Sequence, residues 1–202
     1  MENSQFSFHL SVLIEKGLVE KHLKGYRLSD RGKEYANRID TRDLFIRDQA
    51  KVSVVPCAIR DRNDGSEYLI YTRKKHPFWG YQGFPSGKVK YGELVEQAAE
   101  RELKEECGLT GKAECVAATH YIVCSKKQKK ILEDKYMYVC VIKNPVGKVR
   151  SSKEGAFRWV AEQEISTYMV KPYPQFYEFL EMVKTGIKSP GLYEKTLYVD
   201  EF

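Results

Sequence analysis

Long apolar runs are missing from this 202-residue sequence. Its longest apolar stretches fall far short of the roughly 20 residues that a membrane-spanning helix needs. The first residues, MENSQFSFHL, place no basic segment ahead of an apolar one, so we expect no signal peptide. These absences predict a cytoplasmic protein that does not act in a membrane.

Paired cysteine motifs are also missing. The chain has an odd number of cysteines and no C-x-x-C spacing; they are Cys57, Cys107, Cys115, Cys124 and Cys140. This pattern argues against a disulfide framework and against a structural zinc site. We therefore expect reduced thiols, as in a cytosol.

A strong charge of one sign is absent as well. The net charge is +6, with 31% charged and 42% hydrophobic residues. The balance suits a soluble globular protein with an acidic partner such as phosphate, a nucleotide or nucleic acid, although a solvated basic surface explains it equally well. The length allows one domain of ordinary size and a small additional module.

The additional module is predicted at residues 1–45. Four apolar residues recur at helical spacing before Gly17, a hairpin signal follows at Lys24-Gly25, and Ser29 or Asp30 can cap a second helix; the apolar residues are Phe6, Leu10, Leu13 and Ile14. The order helix, hairpin, helix resembles the second half of a winged helix-turn-helix over about residues 4–40. The helices that precede a recognition helix are lacking, so DNA binding by this chain alone is not expected. Packing or dimer contacts are the alternatives, which leaves a homodimer open.

A domain of alternating strands and helices is predicted at residues 46–186, after the connector TRDLFIRDQA. Pro56 predicts an edge or bulged position for the first strand, and KKQKKILE predicts a solvated loop between two later strands. The last helix should place one apolar face inward, formed by Phe176, Phe179, Leu180 and Val183. Strands on both sides of a central helix predict an α/β or α+β sandwich. Residues 187–202 are predicted to be a tail with some extended character.

The central helix lies in the segment GKVKYGELVEQAAERELKEECGL, residues 87–109. The helix should begin near Glu93 and end at Gly108, with a buried stripe repeated every four residues along Val95, Ala99, Leu103 and Cys107. Glu102, Glu105 and Glu106 then share one face, where like charges repel each other. Three carboxylates at the edge of a core suit a hard divalent cation such as Mg²⁺. On these glutamates alone, a solvated acidic face is the competing interpretation.

The whole segment resembles the Nudix box, G-x5-E-x7-R-E-U-x-E-E-x-G-U with U aliphatic. Every fixed position of that pattern is met, by Gly87, Glu93, Arg101, Glu102, Leu103, Glu105, Glu106, Gly108 and Leu109. The strand order around the box is also similar to that of a Nudix hydrolase, over about residues 50–185. The resemblance implies an α/β/α sandwich around a mixed sheet. It also implies Mg²⁺- or Mn²⁺-dependent cleavage of a nucleoside diphosphate linked to another moiety.

The resemblance also implies roles for individual residues. Glu102, Glu105 and Glu106 correspond to the metal-binding glutamates, joined by the backbone carbonyl of Ser86, where glycine is commoner. The general base is Glu102 or Glu105, and the spacing leaves both open. Further box residues are implied to be structural: Glu93 and Arg101 brace the loop against the helix, Leu103 and Leu109 anchor the core, and Gly108 stops the helix.

Substrate contacts are expected just before the box. The resemblance places Arg73, at the end of the second strand, where the family often meets phosphate. Lys74 and Lys75 either assist it or form a solvated strand end, and Gly87 is assigned to the substrate site. Trp79 is the aromatic residue chosen for stacking on a base, with core or lid packing as the alternative for it and for Phe78 and Tyr81. Glu154 is a candidate for a further metal ligand, whereas His76 and His120 are expected to be structural. The expected partner is a nucleotide-like small molecule whose identity the box does not specify.

A second hypothesis is a ligand-sensing transcriptional regulator, because some regulators join a Nudix domain to a winged helix. The intact box and the incomplete winged helix both favour the enzyme. A structural or RNA-binding module has only the net charge in its favour.

Overall fold

A computed structural model describes residues 2–37, 48–186 and 192–199. The chain forms two compact units, residues 1–49 and 50–202, each with its own internal contacts. Most of the predicted connector and parts of the predicted tail lie outside the described residues. The predicted domain boundaries at residues 45 and 186 stay predictions.

The N-terminal unit has the predicted order of helix, hairpin and helix. Its elements are α1 (Glu2–Glu15), β1 (Val19–His22), β2 (Gly25–Leu28) and α2 (Asp30–Ala36). Gly17 follows α1 with φ of 66°, a conformation that glycine adopts readily. Ser29 caps α2, because its hydroxyl accepts a hydrogen bond of 2.9 Å from the backbone N–H of Gly32.

The second unit is built on a mixed sheet. The long strands are β3 (Lys51–Arg62), β4 (Gly65–Arg73), β8 (Ala113–Ser125), β9 (Ile131–Lys143), β11 (Gly155–Ala161) and β12 (Leu192–Val199). They lie in the order β11-β4-β3-β9-β8-β12, with β5 (Gln82–Gly83) beside β4 and β6 (Gly87–Lys88) beside β3. The β3–β9 and β8–β12 pairs are parallel and the other pairs are antiparallel. A separate antiparallel pair joins β7 (Leu109–Thr110) to β10 (Val146–Gly147).

Helices cover both faces of this sheet. Alternate residues of a strand point to opposite faces. Val55 and Val139 pack with α4 (Ile165–Tyr168) and α5 (Phe176–Thr185), whereas Val54 and Cys140 pack against α3 (Val95–Cys107). The predicted inner face of the last helix is buried, and Gly186 follows α5 with φ of 57°. The result is the expected α/β/α sandwich.

The edge position predicted for Pro56 was wrong, because β3 is an interior strand. One side of β3 pairs with β9 over its whole central part, including Pro56 opposite Cys140. On the other side of β3, residues 53–54 pair with β6 and residues 59–62 pair with β4. Pro56 falls between these two ladders, so its missing N–H is tolerated inside the sheet.

Of two later predictions, one needs adjustment and one agrees with the structure. The predicted loop KKQKKILE is shorter than expected, since β9 begins at Ile131 and only the turn at 126–130 precedes it. The extended character predicted after residue 186 is present in 192–199. That segment forms β12, which pairs with β8 along its length.

Candidate active site

The box helix α3 is fixed by burial on one side and by defined ends. Ala98, Ala99, Leu103 and Cys107 are buried, as the four-residue repeat predicts. Burial of a side chain such as Leu103 contributes about 2 kcal/mol. The helix begins at Val95, two residues after Glu93, and ends at Gly108 with φ of 79°, the left-handed conformation expected of this glycine.

Arg101 connects the helix to the loop before it. Its Nε and Nη2 donate to the two carboxylate oxygens of Glu93 at 2.7 and 2.9 Å, and Nη2 also donates to the carbonyl of Lys88 at 2.9 Å. Glu93 accepts a further bond of 2.9 Å from the backbone N–H of Lys90. These hydrogen bonds, chiefly those from Arg101, hold the pKa of Glu93 at about 2. The pair therefore fastens the loop to α3.

The remaining nitrogen of Arg101 reaches the neighbouring glutamates. Nη1 donates to Glu102 at 2.7 Å and to Glu105 at 3.1 Å. The Glu105 side chain is 55% exposed and also lies 3.7 Å from the ammonium of Lys90. Charge repulsion on this face is thus partly relieved by an arginine from the same helix. Its pair with Glu105 is the ordinary helical contact expected four residues apart, whereas its contact with Glu102 does not follow from the spacing.

Glu106 differs from the other two glutamates of the box. Burial and then the negative charge of Glu102 raise the pKa of Glu106 to about 7. Glu154 acts in the same direction, whereas Lys75 and Arg73 lower the pKa. Glu106 is therefore a poorly solvated carboxyl group beside a second one, and both phosphate-binding candidates lie near enough to influence it.

Gly87 provides the space that Glu102 occupies. A Cβ atom at Gly87 would lie 1.9 Å from the carboxyl carbon of Glu102, closer than any real contact. Any side chain at position 87 would displace Glu102. The box glycine assigned to the substrate site thus has a direct packing role under a proposed metal ligand.

The carboxylates of Glu102, Glu105 and Glu106 are oxygen donors of the kind that bind a hard cation. Across residues 2–37, 48–186 and 192–199, no three His, Cys, Asp or Glu side chains gather closely enough to enclose a metal ion. Arg101 contacts Glu102 and Glu105, whereas Glu106 is partly buried. Carboxylate oxygens are nevertheless the ligands that Mg²⁺ prefers. Burial, and then the charge of Glu102, raise the pKa of Glu106, and a bound cation would oppose both effects by stabilising the carboxylate.

The loop after β4 is tied to the segment before β11. The Nε of Arg73 donates to the carbonyls of Lys75 and Pro77 at 3.0 and 2.6 Å, so this guanidinium also supports the loop. Lys75 forms an ion pair with Glu154, whose backbone carbonyl accepts bonds of 2.8 Å from both the Lys74 N–H and the Tyr71 hydroxyl.

A cleft of about 800 Å³, counted with its open mouth, lies next to the box. Ser86, the residue before Gly87, lines it together with Arg73, Phe78, Tyr173 and Leu197. Phe78 and Tyr173 form an edge-to-face pair with ring centres 5.8 Å apart. Trp79, which we expected to stack on a base, is instead 55% exposed and stacks on His76.

Sequence reasoning missed several cleft residues. Glu133 and Lys135 lie two residues apart on β9, Tyr173 precedes α5, and Leu197 belongs to β12. No local motif marks them, although the two-residue spacing on β9 is the strand signal for a shared face.

His120 lies between Asp134 and Glu194, with nitrogen–oxygen distances of 2.8 and 2.9 Å, and links β8 to both neighbouring strands.

Comparison with known families gives a decisive match. The family model of the NUDIX domain matches residues 50–180. This chain belongs to the Nudix family. The matched range contains the whole box, α3 and most of the cleft-lining residues. The family assignment predicted from the box and the strand order around it is confirmed.

Two curated relatives differ in how far they align with this chain. An ADP-ribose pyrophosphatase of Methanocaldococcus jannaschii is 40% identical over 55 residues, which are 27% of this chain and 32% of that protein. The match thus spans about a third of that relative. A Bacillus subtilis protein named "Putative 8-oxo-dGTP diphosphatase" is 24% identical over 134 residues, which are 64% of this chain and 84% of the relative.

Solved Nudix structures share the fold. The NUDIX domain of Shewanella oneidensis NrtR, solved with ADP ribose, superposes with a TM-score of 0.60 at 14% identity. The superposition covers 78% of this chain and 98% of that domain. The predicted mixed sheet flanked by helices is confirmed. No helix in the described part of the chain has both the length and the apolar character required to cross a bilayer.

Proposed function

We propose that this protein hydrolyses a phosphoanhydride bond in a nucleoside diphosphate linked to another moiety, using Mg²⁺ or Mn²⁺. One observation supports the proposal most strongly. Glu106 is partly buried near Glu102 on the box helix, with Arg73 and Lys75 close enough to affect its charge. A partly buried acidic pair next to basic groups is an arrangement that can hold a cation and a diphosphate together.

The proposed roles follow from position. Glu102 and Glu106 would hold the cation, with Glu105 and the carbonyl of Ser86 as further donors. When bound, the cation supplies positive charge against the diphosphate oxygens and the attacking water. Arg101 orients Glu102 through the 2.7 Å contact, and Gly87 leaves room for its carboxylate. Arg73 and Lys75 would bind phosphate oxygens.

A proton must leave the attacking water, which requires a general base. Glu102 and Glu105 are the two proposed candidates. Glu102 is the more buried of the two, with a side chain 14% exposed against 55% for Glu105. The base can be identified from the pH dependence of turnover, because Gln at the base position removes the acidic limb of that profile while Gln at the other position leaves it.

The cleft supports a nucleoside-containing substrate. Its wall combines the Phe78 and Tyr173 rings with the basic Arg73, which suits a base and a phosphate at neighbouring positions. The relatives named above are described as acting on ADP-ribose and on 8-oxo-dGTP. We propose these two compounds as the first substrates to test. All five cysteines are free thiols, which supports the proposed cytoplasmic setting.

The test is hydrolysis by the full chain in the presence of Mg²⁺, with the products identified by mass. We expect release of a nucleoside monophosphate from at least one nucleoside diphosphate derivative, loss of activity with a chelator, and recovery on addition of Mg²⁺. Full activity in excess chelator, or no hydrolysis of any compound in a broad panel, would contradict the proposal.

A regulator is the second candidate, because the N-terminal unit has the helix, hairpin and helix order described above. A gel-shift assay with duplex DNA at physiological salt tests it beside the hydrolysis assay. Tight binding to a specific duplex without hydrolysis would favour the regulator. Hydrolysis without specific binding would favour the enzyme.

A further inference from the structure

Two cysteines face each other across neighbouring strands behind the box helix. Cys115 on β8 is the direct partner of Cys140 on β9 in the antiparallel ladder. Opposite residues in such a ladder have Cα atoms about 4.5–5.5 Å apart. This separation lies within the roughly 4.4–6.8 Å that a disulfide requires. The backbone thus permits a bond between the two sulfur atoms, which are present as free thiols.

The two thiols are chemically unequal. A hydrogen bond from Cys140 lowers the pKa of Cys115, whereas the same bond and burial raise the pKa of Cys140. Cys140 is fully buried, while Cys115 is only partly buried. Cys115 is therefore the sulfur that a small oxidant reaches and that more readily becomes the reactive thiolate. Cys140 is then placed to attack the oxidised Cys115 sulfur and form the disulfide.

The other three cysteines lack such a partner in the ladders. Cys124 is paired with Ile131, and Cys57 lies opposite Val141 on β9. Cys107 is within α3, where its thiol donates to the carbonyl of Leu103 at 3.0 Å. Burial raises the pKa of both Cys57 and Cys107, which disfavours their thiolates.

The pair lies directly under the box helix. Cys140 packs in a cluster with Val54, Ala98 and Ala99, and Cys115 lies against the same cluster. Ala98 and Ala99 belong to the first half of α3, and Glu100 on that helix accepts a bond of 3.2 Å from the backbone N–H of Ala113. A covalent link at this point would join the two strands on which the start of α3 rests.

We propose that Cys115 and Cys140 form a redox modification site that hydrogen peroxide closes to a disulfide and a thiol reductant reopens. The Cys115 thiolate attacks one peroxide oxygen and breaks the O–O bond, which gives a sulfenic acid and, after protonation of the leaving hydroxide, one water. The Cys140 sulfur then attacks the Cys115 sulfur and displaces a second water. Two thiols are oxidised by two electrons and one peroxide is reduced to two waters.

The experiment treats the reduced full chain with a small excess of hydrogen peroxide and counts thiols in denaturant. We expect the count to fall from five to three, a mass loss of two hydrogen atoms, and a cross-linked peptide that joins positions 115 and 140. Dithiothreitol should restore all five thiols. None of these readouts depends on hydrolytic activity, so a failure here leaves the proposed function untouched.

Three variants make the result specific. Cys115→Ala should keep its four thiols under the same treatment. Cys140→Ala should accumulate a sulfenic acid at position 115 that a dimedone reagent traps. The matched control Cys124→Ala, which removes a buried cysteine from the same strand, should still form the cross-link. Circular dichroism before treatment establishes that each variant is folded.

Several results would overturn the proposal. They are five thiols remaining in the treated parent, a cross-link that joins any other pair of cysteines, or loss of two thiols in Cys115→Ala. If a variant is unfolded, the cross-link map of the parent alone decides the matter.

Discussion

The box segment and the cleft beside it are assembled over different distances along the chain. Arg101 contacts Glu93, Lys88, Glu102 and Glu105, all within 13 residues of it. The cleft instead brings together Arg73 from β4, Tyr173 before α5 and Leu197 from β12. One side of the proposed site is set by local spacing, and the other is set by which strands and helices become neighbours in the sandwich.

This difference separates two kinds of function. The box segment carries the charges that would act on the diphosphate, which is common to all the candidate substrates. The cleft wall supplies apolar and aromatic groups that can distinguish what is attached to the diphosphate. Substitutions in the box should therefore change turnover, and substitutions in the cleft should change substrate affinity.

The largest effect is expected from Glu102→Gln and Glu106→Gln. Each keeps the shape of the side chain and removes a charge from the buried pair, so each should lower turnover by on the order of 10²–10³. The measurement is the hydrolysis rate at saturating Mg²⁺, with melting temperature as the control for folding. Near-parental turnover of folded Glu106→Gln would contradict the division between box and cleft.

Glu93→Gln should act mainly on stability. The pKa of Glu93 is lowered from 4.5 to about 2, so its bond to Arg101 stabilises the fold fully above pH 4.5 and loses that effect as the pH falls towards 2. The expected loss is about 1–3 kcal/mol at pH 7. The measurement is urea unfolding without metal at pH 7 and near pH 2.5. The difference in free energy of unfolding between the parent and Glu93→Gln should be smaller at the lower pH.

Glu105→Gln is the matched control, because it also contacts Arg101 but its side chain is 55% exposed. Its stability loss should be under about 1 kcal/mol. Equal losses in the two variants would show that the buried Glu93 contact has no special bracing role.

A smaller effect is expected in the cleft. Leu197→Ala removes an apolar side chain from the wall and should raise KM by about three- to tenfold with little change in kcat, which is the signature of lost uniform binding. Tyr198→Ala on the same strand is the control, since Tyr198 is 63% exposed. A drop in kcat without a change in KM for Leu197→Ala would place β12 in the chemistry and not in substrate binding.

The smallest effect concerns His120, which lies between Asp134 on β9 and Glu194 on β12 and stacks on the Tyr136 ring. The two carboxylates raise the pKa of His120 above 6.5. The stabilisation is therefore complete below pH 6.5 and is lost as the pH rises through the folded-state value. We expect these ion pairs to contribute under about 1 kcal/mol to the free energy of unfolding.

The check is the melting temperature of the parent and of His120→Asn between pH 6 and 9. The parent should lose stability relative to the variant as the pH rises. If the melting temperatures of the parent and the variant change in parallel with pH, the ion pairs of His120 do not stabilise the edge of the sheet.

The same contrast explains how much the sequence could predict. The start and end of α3, its buried stripe and the last helix all follow from residue spacing, and Ser29 and Gly108 act as predicted at helix ends. The predicted edge position for Pro56 failed because the location of a strand in a sheet depends on pairing with remote strands. Leu197 escaped notice for the same reason, since only the pairing of β12 with β8 brings it to the cleft.

Within the box, spacing predicted which residues lie near each other but not how they share contacts. The bidentate bond between Arg101 and Glu93 fits the expected brace. The bond from Arg101 to Glu105 is the contact expected four residues apart on a helix, but the bond to Glu102 depends on a side-chain conformation that residue spacing does not specify. The different burial of Glu105 and Glu106 likewise depends on how α3 sits on the sheet.

Binding of Mn²⁺ followed by electron paramagnetic resonance tests the central claim most directly, because it reports on the metal site without requiring a known substrate. The titration compares the parent with Glu106→Gln and Glu93→Gln at pH 7.5. The account predicts similar affinity for the parent and Glu93→Gln, and at least about tenfold weaker binding for Glu106→Gln, whose buried charge is lost. Equal Mn²⁺ affinity in all three proteins, or weakened binding only in a folded Glu93→Gln, would contradict it.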